Sequence, residues 1–126
     1  MKITVICGGR STEHAISLVS AKSVAQNLLA MQHEVQLVQI SKQGRWSFYA
    51  DANEWLEDKN SSELAVCADL SATVPSWLIG GKQIEAGVVF PVLHGMYGED
   101  GSIQGLLDIM NAPYVTSSIL GSAVTM

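Results

Sequence analysis

The chain has 126 residues, 48% of them hydrophobic and 15% charged, with a net charge of −5. That length supports one domain with one real core, and that balance excludes a disordered chain. No lysine–arginine cluster occurs, which argues against a nucleic-acid or anionic-membrane partner, and no apolar stretch approaches bilayer-spanning length.

Residues 2–7 read as a first strand, short and β-branched, closed by Gly8-Gly9. Gly8-Gly9-Arg10 also interrupts the N-terminal apolar stretch, which is too short for a signal peptide. A helix follows from about Glu13 to Ala30. Its apolar face is predicted at Ile16, Val19, Val24, Leu28 and Met31, and Ser11 or Thr12 is the expected N-cap. Glu34 to Ile40 reads as strand two, Lys42-Gln43-Gly44-Arg45 as a turn, and Trp46, Phe48 and Tyr49 as a short strand returning against strand two. Between Asp51 and about Glu85 the reading is an acidic, solvent-facing excursion, with Trp55 and Leu56 anchoring a short helix and Trp77-Leu78-Ile79 before Gly80-Gly81 as part of a hairpin. Gly87 to Leu93 is a buried strand, and Ile103 to Met110 a helix in which Gly105 marks close packing. Tyr114-Val115-Thr116 gives a last short strand, and a terminal helix opens near Ile119 without a closing signal, so the chain reads as a fragment. Alternating strands and helices predict an α/β fold: a mainly parallel sheet with helices on both faces.

Two apolar runs end abruptly in glycine-rich loops, at Cys7-Gly8-Gly9 and at Leu93-His94-Gly95. Open α/β sheets bind ligands at such carboxyl ends. The loops carry Glu13 and His94, which suggests that they form the wall of a polar small-molecule site. On spacing alone Glu13 is either a helix-end charge favoured by the dipole or a partner for a substrate cation. His94 is either satisfied structurally or a donor at the sheet edge. Gly95, Gly98 and Gly101 fit a tight loop, and Glu99 and Asp100 fit a cap for the following helix. Gly8-Gly9 lacks the third glycine of a dinucleotide fingerprint and the lysine of a P-loop, so it does not indicate nucleotide binding. Cys7 and Cys67 show neither metal nor disulfide spacing and read as reduced thiols of a cytosolic protein.

The run Gly8-Gly9-Arg10-Ser11-Thr12-Glu13-His14-Ala15-Ile16-Ser17-Leu18 resembles the first signature of the D-alanine–D-alanine ligases, of the ATP-grasp superfamily. His94-Gly95-Met96-Tyr97-Gly98-Glu99-Asp100-Gly101-Ser102-Ile103-Gln104-Gly105 resembles the second. Pro113 to Ser118 and Ser122 to Met126 resemble the family's run into its next domain, so the likeness covers essentially the whole chain. It implies a Rossmann-like pre-ATP-grasp domain over residues 1–126, with the ATP-grasp domains expected beyond Met126. It implies ATP-dependent joining of two D-alanines for the cell-wall precursor in the cytoplasm: one carboxylate is phosphorylated and the second amine attacks the acyl phosphate. By the same resemblance Glu13 is the catalytic, ammonium-holding residue, Ile16 lines the methyl pocket, and His94 with Gly95 completes the substrate-binding set. ATP and Mg²⁺ (or Mn²⁺) are expected on the absent domains, with no cofactor or metal held by this chain, and a homodimer through this domain is expected. D-lactate or D-serine as second substrate, or a stand-alone module that binds an amino acid or a partner protein, are the alternatives. The chain departs from the family at Ala15, where many relatives are acidic, and at Met96, often proline.

Overall fold

The computed structural model describes residues 1–9, 14–57, 64–70, 73–93 and 102–115. In chain order the elements are β1 (Lys2–Gly8), α1 (His14–Ala30), β2 (Glu34–Ile40), β3 (Trp46–Tyr49), α2 (Ala52–Leu56), β4 (Leu64–Ala65), β5 (Cys67–Asp69), β6 (Ser76–Ile79), β7 (Lys82–Glu85), β8 (Val88–Leu93) and α3 (Ser102–Met110). The main sheet has the order β4-β3-β2-β1-β8, and β5-β6-β7 form a second, three-stranded sheet.

The main sheet is mixed. β1 lies parallel to both β2 and β8, whereas β3 pairs antiparallel with β2 and with β4. The turn over residues 41–45 is too short for a crossover, so β3 has to return as a hairpin partner. That turn closes through Ser41 N to Arg45 O (2.8 Å) and Gly44 N to Ser41 O (2.9 Å). Beyond β8 the chain adds a parallel bridge, Val89 opposite Tyr114. This is the last short strand expected at 114–116, as far as it is described. The terminal helix expected from near Ile119 lies outside the described residues.

Both faces of β1 and β2 are covered, because alternate side chains point to opposite faces. On one face Ile3, Val5, Cys7, Val35, Leu37 and Val92 pack with α1 and α2. On the other, Ile6, Val38, Ile40 and Val89 pack with α3 through Ile103, Leu107 and Met110. Helices therefore flank the sheet on both sides, as expected.

The buried stripe of α1 differs from the predicted one. Ser17, Ala21 and Ala25 are fully buried together with Leu28, while Ile16, Val19 and Met31 are exposed. Small residues at i, i+4 and i+8 let the helix axis approach the strands closely, and the bulkier Ile16 and Val19 are turned outward. Side-chain size, more than hydrophobicity, selects the face. Just past the helix end at Ala30, Gln32 takes the left-handed conformation, φ 65°. Gln32 N donates to Leu29 O and His33 N to Leu28 O, a Schellman closure.

The described residues between 51 and 85 are less solvent-facing than their acidity implies. Asp51 caps α2 through Asn53 N (2.9 Å), and Trp55 Nε1 donates to Gln39 Oε1 (2.8 Å). Asp69 is buried and accepts from Gln83 Nε2 at 2.7 Å. The hairpin around Gly80-Gly81 is present as β6–β7, and its Trp77 is fully buried against the main sheet. Gly105 is also re-read. It is exposed, with nothing within 4 Å of the place where a Cβ would stand, so close packing is not the reason for it.

Candidate functional site

β1 and β8 end side by side at the same edge of the sheet. Cys7 lies opposite Val92 and Gly8 opposite Leu93. Gly8 (φ 92°) and Gly9 (φ 106°) then take backbone angles that side-chain-bearing residues avoid. Gly9 N donates to Ile40 O at 2.8 Å, so the departing chain is also tied to the end of β2. Gly8-Gly9 thus serves to turn the chain off the sheet edge and into α1.

Four residues were singled out from the sequence. Ile16 is placed on the first turn of α1 with 52% of its surface exposed, so its side chain remains available to a ligand rather than to the core. Glu13, His94 and Gly95 lie outside the described residues. Their attachment points are described: Glu13 immediately precedes α1, and His94 immediately follows β8.

Ser17 was not singled out. It is fully buried at this edge, where its Oγ accepts from Gly8 N (2.8 Å) and donates to Val92 O. The signal available in the sequence was a serine sharing an i, i+4, i+8 stripe with Ala21 and Ala25.

Cys7, one residue before the glycines, is fully buried, and burial pushes its thiol up to about 12. A thiol that stays neutral and inaccessible is a poor nucleophile. Cys67 is exposed. At pH 8 a thiol reagent is therefore expected to label Cys67 in the native chain and Cys7 only after denaturation. Fast native labelling of both would contradict the burial. Because the folded value lies above the ordinary 9.0 of a free thiol, stability is undiminished below pH 9 and declines as pH rises from 9 toward 12.

A cavity of about 340 Å³ involves Met1, Lys2, Glu85, Gly87, Val88 and Pro113. It sits at the amino ends of β1 and β8, opposite the glycine loops. Open α/β sheets place ligands at the carboxyl ends, which favours the loop edge as the site. Among the described residues no group of three His, Cys, Asp or Glu is arranged to hold a metal. No described helix is long and apolar enough to cross a membrane.

The family model described as "D-ala D-ala ligase N-terminus" matches residues 2–117. The D-alanine–D-alanine ligase of Caldicellulosiruptor bescii is 42% identical over 131 residues, covering 100% of this chain and 36% of that protein. The vancomycin C-type resistance protein VanC1 of Enterococcus gallinarum is also 42% identical, over 99% of this chain and 37% of that protein. Among solved structures, the D-alanine–D-alanine ligase from Coxiella burnetii superimposes with a TM-score of 0.84 at 35% identity, over 91% of this chain and 34% of that one. The VanG D-Ala:D-Ser ligase from Enterococcus faecalis gives 0.80 at 33% identity, over 90% of this chain and 35% of that one. The chain thus spans little more than a third of the length of these relatives. With both signature loops leaving one sheet edge and the match running from residue 2 to residue 117, the chain belongs to the family of D-alanine–D-alanine ligase N-terminal domains.

Proposed function

We propose that this chain is the substrate-wall domain of an ATP-dependent ligase that joins two D-alanines for the peptidoglycan precursor. The carrying observation is the pairing of β1 with β8, which brings Gly8 and Leu93 side by side at one edge. Gly8 opens the run that contains Glu13, and Leu93 immediately precedes His94 in the sequence. In this reading the sheet is a Rossmann-like pre-ATP-grasp fold and residues 1–126 act as one domain of a longer cytoplasmic protein.

Each residue has a defined task. Glu13 holds the ammonium of the first D-alanine, because a charge-assisted pair fixes both distance and orientation. Half-exposed Ile16 forms a wall for the substrate methyl group. His94, beside Gly95, donates to the substrate carboxylate. ATP with Mg²⁺ or Mn²⁺ supplies the phosphoryl group that activates a carboxylate. The residues that hold it belong to the remaining two thirds of the protein, and none is assigned in this chain. Two copies pair through this domain, for which exposed Val19 on α1 and Met31 just past its end offer apolar surface.

A second reading, D-serine as the second substrate, is favoured by the likeness to the VanG D-Ala:D-Ser ligase. The deciding experiment is ADP release by the full-length protein with D-alanine alone and with D-alanine plus D-serine. Release with D-alanine alone is the expected result. Release only with the mixture would favour the second reading, and none with either would refute both.

A further inference from the structure

We propose that Ser17 is a positioning residue for the first-substrate site, an inference that rests on the reading of Glu13 and His94 as substrate-holding groups. One side chain joins three elements. Its Oγ accepts from Gly8 N (2.8 Å) at the end of β1 and donates to Val92 O near the end of β8, and its own backbone belongs to the second turn of α1. A hydroxyl can accept from an N–H and donate to a carbonyl at the same time; alanine can do neither. Ser17 is fully buried, so water does not replace it.

The two backbone groups it bridges are the anchors of the signature loops. Gly8 precedes Glu13 by five residues, and Val92 precedes His94 by two. The neighbouring Ala21 and Ala25 are also fully buried, and their small size holds α1 near enough for so short a side chain to reach both strands. Ser17 thus ties the end of β1, the end of β8 and α1 to one another, and the two signature runs continue from those strand ends. Geometry of this kind governs rate and affinity steeply, with misplacement near 1 Å costing on the order of 10²-fold. Ser17 touches no substrate and acts through the residues it tethers.

The test uses the full-length protein with Ser17→Ala, and Leu28→Ala as a control. Leu28 lies in the same helix near its far end and in the same core. Ser17→Ala is expected to raise the D-alanine KM of the first site by roughly tenfold with the KM for ATP unchanged. Leu28→Ala is expected to lower the melting temperature without moving either constant. Deuterium uptake by peptides spanning residues 8–13 and 93–101 should rise in Ser17→Ala and not in Leu28→Ala. A D-alanine KM within twofold of wild type, or a KM shift matched by Leu28→Ala, would overturn the proposal. Failure of the functional reading looks different: the wild-type protein would then release no ADP with D-alanine. In that case the exchange comparison alone judges the tether, and equal uptake in the two variants would refute it.

Discussion

Trp77→Ala is expected to destabilise the chain by about 3–5 kcal/mol. For a domain of this size that is a fall in Tm of roughly 10–20 °C. Trp77 is fully buried on β6 and packs against Trp46 with ring centroids 6.2 Å apart. Its Nε1 donates to Thr4 Oγ1 (3.2 Å) on β1, an interior strand of the main sheet. Thr4 Oγ1 also accepts from Gln36 Nε2 (2.7 Å) and donates to Ala86 O (2.6 Å), while Gln36 Nε2 reaches Glu85 O (2.8 Å). The hydroxyl therefore uses its one donor and two acceptor positions. Removing the indole leaves a large cavity and an unfilled acceptor in a buried network, and frees the small sheet from the large one. Trp77→Phe separates the two contributions, since it keeps most of the packing and loses about 1 kcal/mol for the hydrogen bond. Chemical denaturation of the three proteins reads both quantities. A loss below 1 kcal/mol for Trp77→Ala would show that the small sheet does not depend on this anchor.

Gly87→Ala is expected to cost about 2–4 kcal/mol. Gly87 has φ +67°, and a Cβ there would stand 2.1 Å from Lys2 O and 2.7 Å from Lys2 C. Both are backbone atoms of β1, so no side chain can swing away. The first rung of the β1–β8 ladder, Ile3 opposite Val88, adjoins the clash. The strand pairing that positions the two loops would have to shift. Gly105→Ala is the opposite case, with open space around the added methyl, and should gain about 0.5–1 kcal/mol from helix propensity. Melting the two variants side by side gives changes of opposite sign. A stabilised Gly87→Ala would mean that the strand ends are not held as described.

The elements were legible where one periodicity dominated. β1 and β8 are largely continuous apolar runs because both of their faces are buried, and β2 was legible from the recurrence of Val35, Leu37, Val38 and Ile40. The return of β3 followed from a turn too short for a crossover. The packing face of α1 was not legible. Hydrophobicity pointed to Ile16, Val19 and Met31, but close approach to the sheet selects Ser17, Ala21 and Ala25. The hairpin that carries Trp77 was legible, but its burial was not, for a related reason. Its acidic flank signals solvent, yet Asp51 serves as a cap and Asp69 pairs with Gln83. At the candidate site, glycine-rich stretches after buried strands pointed to the carboxyl edge of the sheet, and the structure places Gly8 and Leu93 side by side at that edge. Ser17 escaped notice because a serine in a helix has no chemistry until its neighbours are known, and those neighbours are backbone groups distant in sequence.

The most direct test of the central claim is Glu13→Gln in the full-length protein, with steady-state kinetics that separate the two D-alanine sites. The substitution keeps the size and a hydrogen-bond acceptor while removing the charge that pairs with the substrate ammonium. The predicted result is a loss of about 1–3 kcal/mol at the first site, a rise of roughly tenfold or more in its KM or an equivalent fall in kcat/KM. Thermal stability should change little, since a helix-end charge contributes only about 0.3–1 kcal/mol. Unchanged kinetics with a lowered melting temperature would contradict the account and leave Glu13 as a helix-end charge.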